Sequence, residues 1–203
     1  MDHLQFFTRW LHVIAGITWI GHLYFFNFVN VPLQAALDDA TKPNVNPKLL
    51  PRALWWFRWG AMLTFLSGLL LFALIFMVLP EGGFGMNALL RDDMGLTDRA
   101  RWIMWGMLFG LIMWFNVWFI IWPINRGILR KEITGDAVAP ARRKAYLASR
   151  TNTYLSAPML LGMLGAGHWP VGFSYGSMLA FGAVGCLVIW IAIFHAGKVG
   201  QSA

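Results

Sequence analysis

Apolar residues fall in long, nearly unbroken runs along this chain, and the polar ones gather between them in short, mostly basic stretches. Five runs are long enough, or nearly so, to span a hydrocarbon layer roughly 30 Å thick at about 20 residues each. They cover 6–29, 54–79, 101–124, 151–169 and 177–196. Backbone N–H and C=O groups find no water in hydrocarbon, so each run is expected to be a helix. The fold class is therefore all-α, an integral membrane helical bundle. The fourth run is the shortest, contains Pro158, and follows the basic, helix-prone KAYLASR, which would lengthen it. A re-entrant segment is the alternative there. The stretch 30–53 carries Pro32, Pro43, Pro47 and Pro51, and 81–100 has three glycines near its start, so both read as loops. Residues 1–203 are expected to form a single membrane domain.

Charge orients the bundle. Arg9, Arg91, Arg99 and Arg101 fall at one end of the five-helix arrangement, and the remaining lysines and arginines, Lys42 to Lys198, at the other. The positive-inside rule makes the richer end cytoplasmic, with the amino terminus out and the carboxyl terminus in. The apolar start continues well past the length of a signal-peptide core, so the first helix is expected to remain as an anchor. The expected setting is the bacterial inner membrane, crossed several times.

Composition agrees: 58% of the residues are hydrophobic and 12% charged, too little polar surface to cover a soluble globule of this size. The net charge of +7 lies between apolar runs, so lipid is its expected partner and nucleic acid is not. Cys186 is the only cysteine and no Cys-x-x-Cys-His occurs, which excludes a disulfide framework and covalent c-type haem within these residues.

Histidine is costly in hydrocarbon, where it is kept for ligation, proton transfer or a polar contact. Of the five histidines, His12 and His22 lie in the first run, His168 ends the fourth and His195 lies near the end of the fifth. His3 lies outside any run and is expected to be solvated. The expected topology pairs His12 with His168 near the outer face and His22 with His195 near the inner one. His12 and His22 are separated by about 15 Å along a helix and roughly 80° around it, which suits two stacked sites. Imidazoles on facing helices could hold one or two b-type haems non-covalently, making all four the candidate iron ligands. Hydrogen bonding at the interface is the plainer use of His168 and His195.

Other residues extend the candidate site. Arg58, flanked by Trp and Phe, could meet a haem propionate, as could Arg9, Arg101 and Arg150; snorkelling to headgroups is the plainer role of each. Asn116 could position a histidine or a quinone oxygen, or bond helix to helix. Met159 and Met163 could ligate haem iron or copper, though core packing is the commoner use of such a pair. Gly162, Gly165, Gly167, Gly182 and Gly185 permit close helix approach. No Asp or Glu lies inside a run, which argues against a carboxylate-based pump or antiporter.

The segments WLHVIAGITWIGHLYFFNFVNVP, NVWFIIWPINR and RTNTYLSAPMLLGMLGAGHWP resemble the membrane domain of bacterial membrane-bound urate oxidase (urate hydroxylase). Full-length members join a multi-helix membrane domain to a cytochrome c domain and are implicated in urate oxidation coupled to the respiratory chain. The 203 residues here carry no cytochrome c motif. The resemblance marks His12, His22, Asn116, Pro123, Asn152, Ser156, Pro158 and His168 as motif positions.

Three functions follow as expectations. The first is a haem b electron-transfer protein working between a quinone pool or partner dehydrogenase and a periplasmic carrier. The second is an oxidoreductase subunit that oxidises urate with a separate cytochrome c, binding the anion through Arg101, Asn116 and Asn152. The third is a copper-handling protein or a structural subunit of a respiratory complex.

Overall fold

The computed structural model describes residues 2–201. Helix α1 (Asp2–Tyr24) runs through a π-helical turn, π1 (Phe25–Asn30), into α2 (Val31–Ala36). Helix α3 (Lys42–Phe72) likewise ends in π2 (Ala73–Met77). A small hairpin, β1 (Arg91–Asp92) with β2 (Gly95–Leu96), precedes α4 (Asp98–Phe115), π3 (Asn116–Ile121) and α5 (Trp122–Leu129), which form one continuous rod. A 3-10 turn at Gly135–Ala137 leads into α6 (Val138–His168), and α7 (Tyr175–Ala196) closes the bundle.

Four of these units are long and apolar enough to cross a membrane: His3–Ala36, Lys42–Met77, Asp98–Leu129 and Tyr175–Ala196. Helix α6, at 31 residues, has the length but is not among the four. Its basic first half and its buried polar residues explain why. Asn152, Thr153 and Ser156 are fully buried, so they face protein rather than lipid. The protein is an all-α, multi-pass membrane bundle.

The helix boundaries differ from the apolar runs in instructive ways. The second helix starts at Lys42 rather than 54, absorbing much of the proline-rich stretch expected to be a loop. Pro43 sits in the first turn, where its missing N–H would be unsatisfied anyway. Pro47 and Pro51 follow at intervals of four and remain inside the helix, so the lost hydrogen bonds, one to a turn, fall along one face and leave the rest of each turn intact. The fourth helix is lengthened through KAYLASR, back to Val138. Capping sets two starts: Thr97 Oγ1 accepts from the Ala100 amide at 3.1 Å, and Ser174 Oγ from the Ser177 amide at 3.4 Å. Asn87 closes π2, its amide donating to the Ile75 and Val78 carbonyls at 2.8 and 2.9 Å.

Two tight antiparallel pairs build the bundle: α1 against α3, and α4 against α6, with α7 laid on α6. Glycine makes the pairs tight. A Cβ placed on Gly162 would stand 2.5 Å from the Gly106 nitrogen, so these two backbones touch directly. Gly165 leaves room for the Trp102 ring, and Gly185 for Ala157. Between the pairs lies a core of Trp19, Leu23, Phe57, Ala61, Met113, Val117, Ile121 and Met159. Large apolar side chains on the outer faces, such as Leu179, Val184 and Leu187 of α7, are more than half exposed, as a lipid-facing surface requires.

Candidate functional site

The first helix presents two histidines to α3. His12 Nδ1 lies 3.1 Å from Ser67 Oγ, whose own hydroxyl donates to the Leu63 carbonyl at 2.6 Å. Ser67 therefore accepts, and His12 Nδ1 carries the hydrogen. Gly68 leaves the space that the His12 ring occupies, since a Cβ there would stand 3.0 Å from His12 Cε1. His22 Nδ1 lies 2.7 Å from the Thr18 carbonyl, which can only accept, so the hydrogen is again on Nδ1. His195 repeats the pattern with the Ile191 carbonyl at 2.9 Å. In the neutral imidazole each arrangement leaves Nε2 as the lone-pair nitrogen, the tautomer in which histidine binds a metal while its other nitrogen is held by protein.

His22 also lines a groove of about 500 Å³ together with Ile17, Thr18, Gly21, Phe25, Leu49, Arg52, Ala53 and Trp56. Its walls come from α1, π1 and α3, and neither His195 nor any other residue of α7 is among them. His168 and His195 are exposed near the ends of α6 and α7. Beside His168, Trp169 packs on Trp102 and Phe181. Among the described residues no three His, Cys, Asp or Glu side chains gather closely enough to hold a metal ion together. Any iron held here would rest on one or two histidines.

A buried polar layer ties α1, π3 and α6 together toward the basic end. Asn116 Nδ2 donates to Asn152 Oδ1 at 2.7 Å, and Asn152 Nδ2 to the Met113 carbonyl at 2.9 Å. Tyr24 and Ser156 share a hydrogen bond of 2.9 Å, and Asn27 Nδ2 donates to Ser149 Oγ at 2.9 Å. Among the described residues, the buried Asn27 Oδ1 has no donor. Asn27 lies in π1 and Asn116 opens π3, so two π turns flank this layer; such turns are frequent at functional sites. The sequence reading singled out Asn116 but passed over Tyr24 and Asn27. The same signal was present at Asn27, an amide inside the apolar run FFNFVN.

Arg58 sits beside π3 and α5. Its guanidinium carbon is 3.9 Å from the centre of the Trp122 ring and 5.3 Å from those of Trp59 and Trp118. Its Nε is buried and has no acceptor among the described residues. Arg101 is paired with Asp98 at 3.1 Å near the start of α4, about 22 Å of helix from Asn116. Arg101 and the Asn116–Asn152 pair therefore do not line one pocket.

A bundle with four membrane-crossing units, polar residues turned inward and histidines held from one ring nitrogen defines a multi-pass membrane protein with a protein-lined polar interior. The family model described as urate oxidase N-terminal matches residues 1–44 and 85–199, well over half of the chain, and the chain belongs to that family. No curated protein and no solved structure matches it. The matched residues include all four candidate histidines and Asn116 but leave out Arg58 and Ser67.

Proposed function

We propose that this urate oxidase-related membrane protein binds haem b non-covalently and passes electrons in a bacterial respiratory chain, in the inner membrane. The observation that carries the reading is the Nδ1 hydrogen bond of His12 and of His22, which anchors each ring and leaves its Nε2 lone pair for iron. The surroundings of His22 suit a macrocycle. Gly21 adds no bulk, Phe25 and Trp56 give apolar walls, and Arg52 offers a cation for a propionate. Haem supplies one-electron chemistry when bound. The chain's own residues would hold the ligating imidazole, exclude water and set the polarity around the group. Quinone on the membrane side and a cytochrome c or respiratory complex on the other are the partners such a carrier requires.

The reading is tested by a dithionite-reduced minus oxidised spectrum of the detergent-purified protein, with pyridine haemochrome quantification. A b-type signal is expected, lost in His22→Ala and reduced or shifted in His12→Ala. Ser67→Ala should keep the haem and shift its band or potential, because it frees the His12 ring without removing it. A folded, colourless wild-type protein would overturn the proposal.

A further inference from the structure

Arg58 is a cation with no anion. Among the described residues it makes no hydrogen bond and no ion pair, and three indole rings lie against its guanidinium. The nearest charges do not offset it. Arg126 is a like charge, and Glu132 lies 4.0 Å from Arg126 and 3.9 Å from Arg130, already shared between those two. An uncompensated guanidinium beside hydrocarbon is costly, and its planar fork matches the oxygens of a phosphate or carboxylate.

Its depth identifies which oxyanion. From Arg58 to the end of π2 at Met77 the chain carries no charge, and this stretch is about 28 Å of helix, the thickness of a hydrocarbon layer. Arg58 therefore stands at the boundary of that layer. Trp55, Trp56 and Trp59 surround it on α3 at 47%, 56% and 43% exposure, the position of an aromatic belt at headgroup level.

We propose that Arg58, with Arg126 beside it, forms a binding site for the phosphate of an anionic membrane lipid, whose headgroup seats against Trp59, Trp118 and Trp122. The lipid would link α3 to the π3–α5 segment by joining cations on both. This site is separate from the haem reading and does not depend on it.

The full chain is placed in nanodiscs of phosphatidylcholine alone and of phosphatidylcholine mixed with phosphatidylglycerol, and thermal unfolding and retained lipid are measured, the latter by native mass spectrometry. The wild type is expected to unfold at a higher temperature with phosphatidylglycerol and to retain that lipid. Arg58→Gln should weaken retention about fivefold and abolish the thermal difference. Arg58→Lys, which keeps the charge but not the fork, should recover only part of it. Should Arg58→Gln fail to fold, Arg126→Gln at its exposed position carries the same test. Equal unfolding in the two bilayers would overturn the proposal, as would undiminished retention in both glutamine variants. Inorganic phosphate reproducing the stabilisation in phosphatidylcholine discs would overturn the lipid assignment and leave a free-oxyanion site.

Discussion

Replacing Gly162 by alanine should loosen the protein, where the same change at Gly167 of the same helix should not. The new Cβ would stand 2.5 Å from the Gly106 nitrogen, 2.7 Å from its Cα and 2.9 Å from the Trp102 carbonyl oxygen. Ordinary contact begins at 3.4 Å, so α4 and α6 must part by 3.4 − 2.5 = 0.9 Å at this crossing. Backbone cannot rotate away as a flexible side chain would. Overpacking of this kind costs about 1–3 kcal/mol, and a gap of about 0.5–1 Å forfeits a quarter to a half of each neighbouring dispersion contact. Pure translation would also stretch the Asn116–Asn152 bond from 2.7 to 3.6 Å, past useful hydrogen-bond length. Tilting about that bond is cheaper, so the loss stays within about 1–3 kcal/mol, partly offset by the helix-propensity gain of about 1 kcal/mol. Gly167→Ala is the control: nothing lies within 4 Å of its added Cβ, so it carries only the helix-propensity gain of about 1 kcal/mol. Thermal unfolding in one detergent, followed by circular dichroism, compares the two. Equal midpoints would refute the direct backbone contact. Gly106→Ala should repeat the effect, and the double variant should fall short of the sum because one separation serves both methyl groups.

Two further outcomes follow from the polar groups. Asn152→Leu removes two hydrogen bonds from a fully buried position and leaves the Asn116 amide without its acceptor; a loss of about 1–2 kcal/mol is expected in the same unfolding assay, and no change would show that the amides are not bonded. In the connection before α3, the Thr41 hydroxyl and then its amide hold the Asp38 carboxyl below its ordinary value of 3.8. A depressed value favours the folded state above about pH 4, and the benefit is lost as pH falls through the lowered value. Thr41→Ala should move the Asp38 titration back up, as read by carboxyl carbon NMR, while Lys42→Ala should leave Asp38 where it is.

What could be read in the sequence was set by composition, and what could not was set by pairing. Long apolar runs announce helices because hydrocarbon admits little else. Helix α6 was harder, since its buried face is polar and only its partners reveal that Asn152 and Ser156 point inward. The proline-rich start of α3 misled because proline usually ends a helix, whereas here the spacing of Pro43, Pro47 and Pro51 confines the damage. In the candidate site, the histidines and Arg58 were visible as costly residues in apolar surroundings. Their roles were not, because His12 meets Ser67 across 55 positions and Arg58 meets Trp118 and Trp122 on another helix. The tautomers that bear on metal binding depend on single hydrogen bonds that no spacing rule encodes.

The three π turns bear on how these helices can change over evolution. A π turn winds one residue more than an α turn into the same rotation, so everything after it lags by about 100° behind an uninterrupted helix. Beyond π1 and π3, positions Val31–Ala36 and Trp122–Leu129 therefore present different faces from those an uninterrupted helix would give them. Loss of one residue within Phe25–Asn30 or Asn116–Ile121 would restore a regular helix while keeping the following segment on the same faces, with the membrane-crossing length nearly unchanged. Relatives could thus differ by a single-residue gap in the middle of a helix and still keep the lining of the bundle's basic end beyond it.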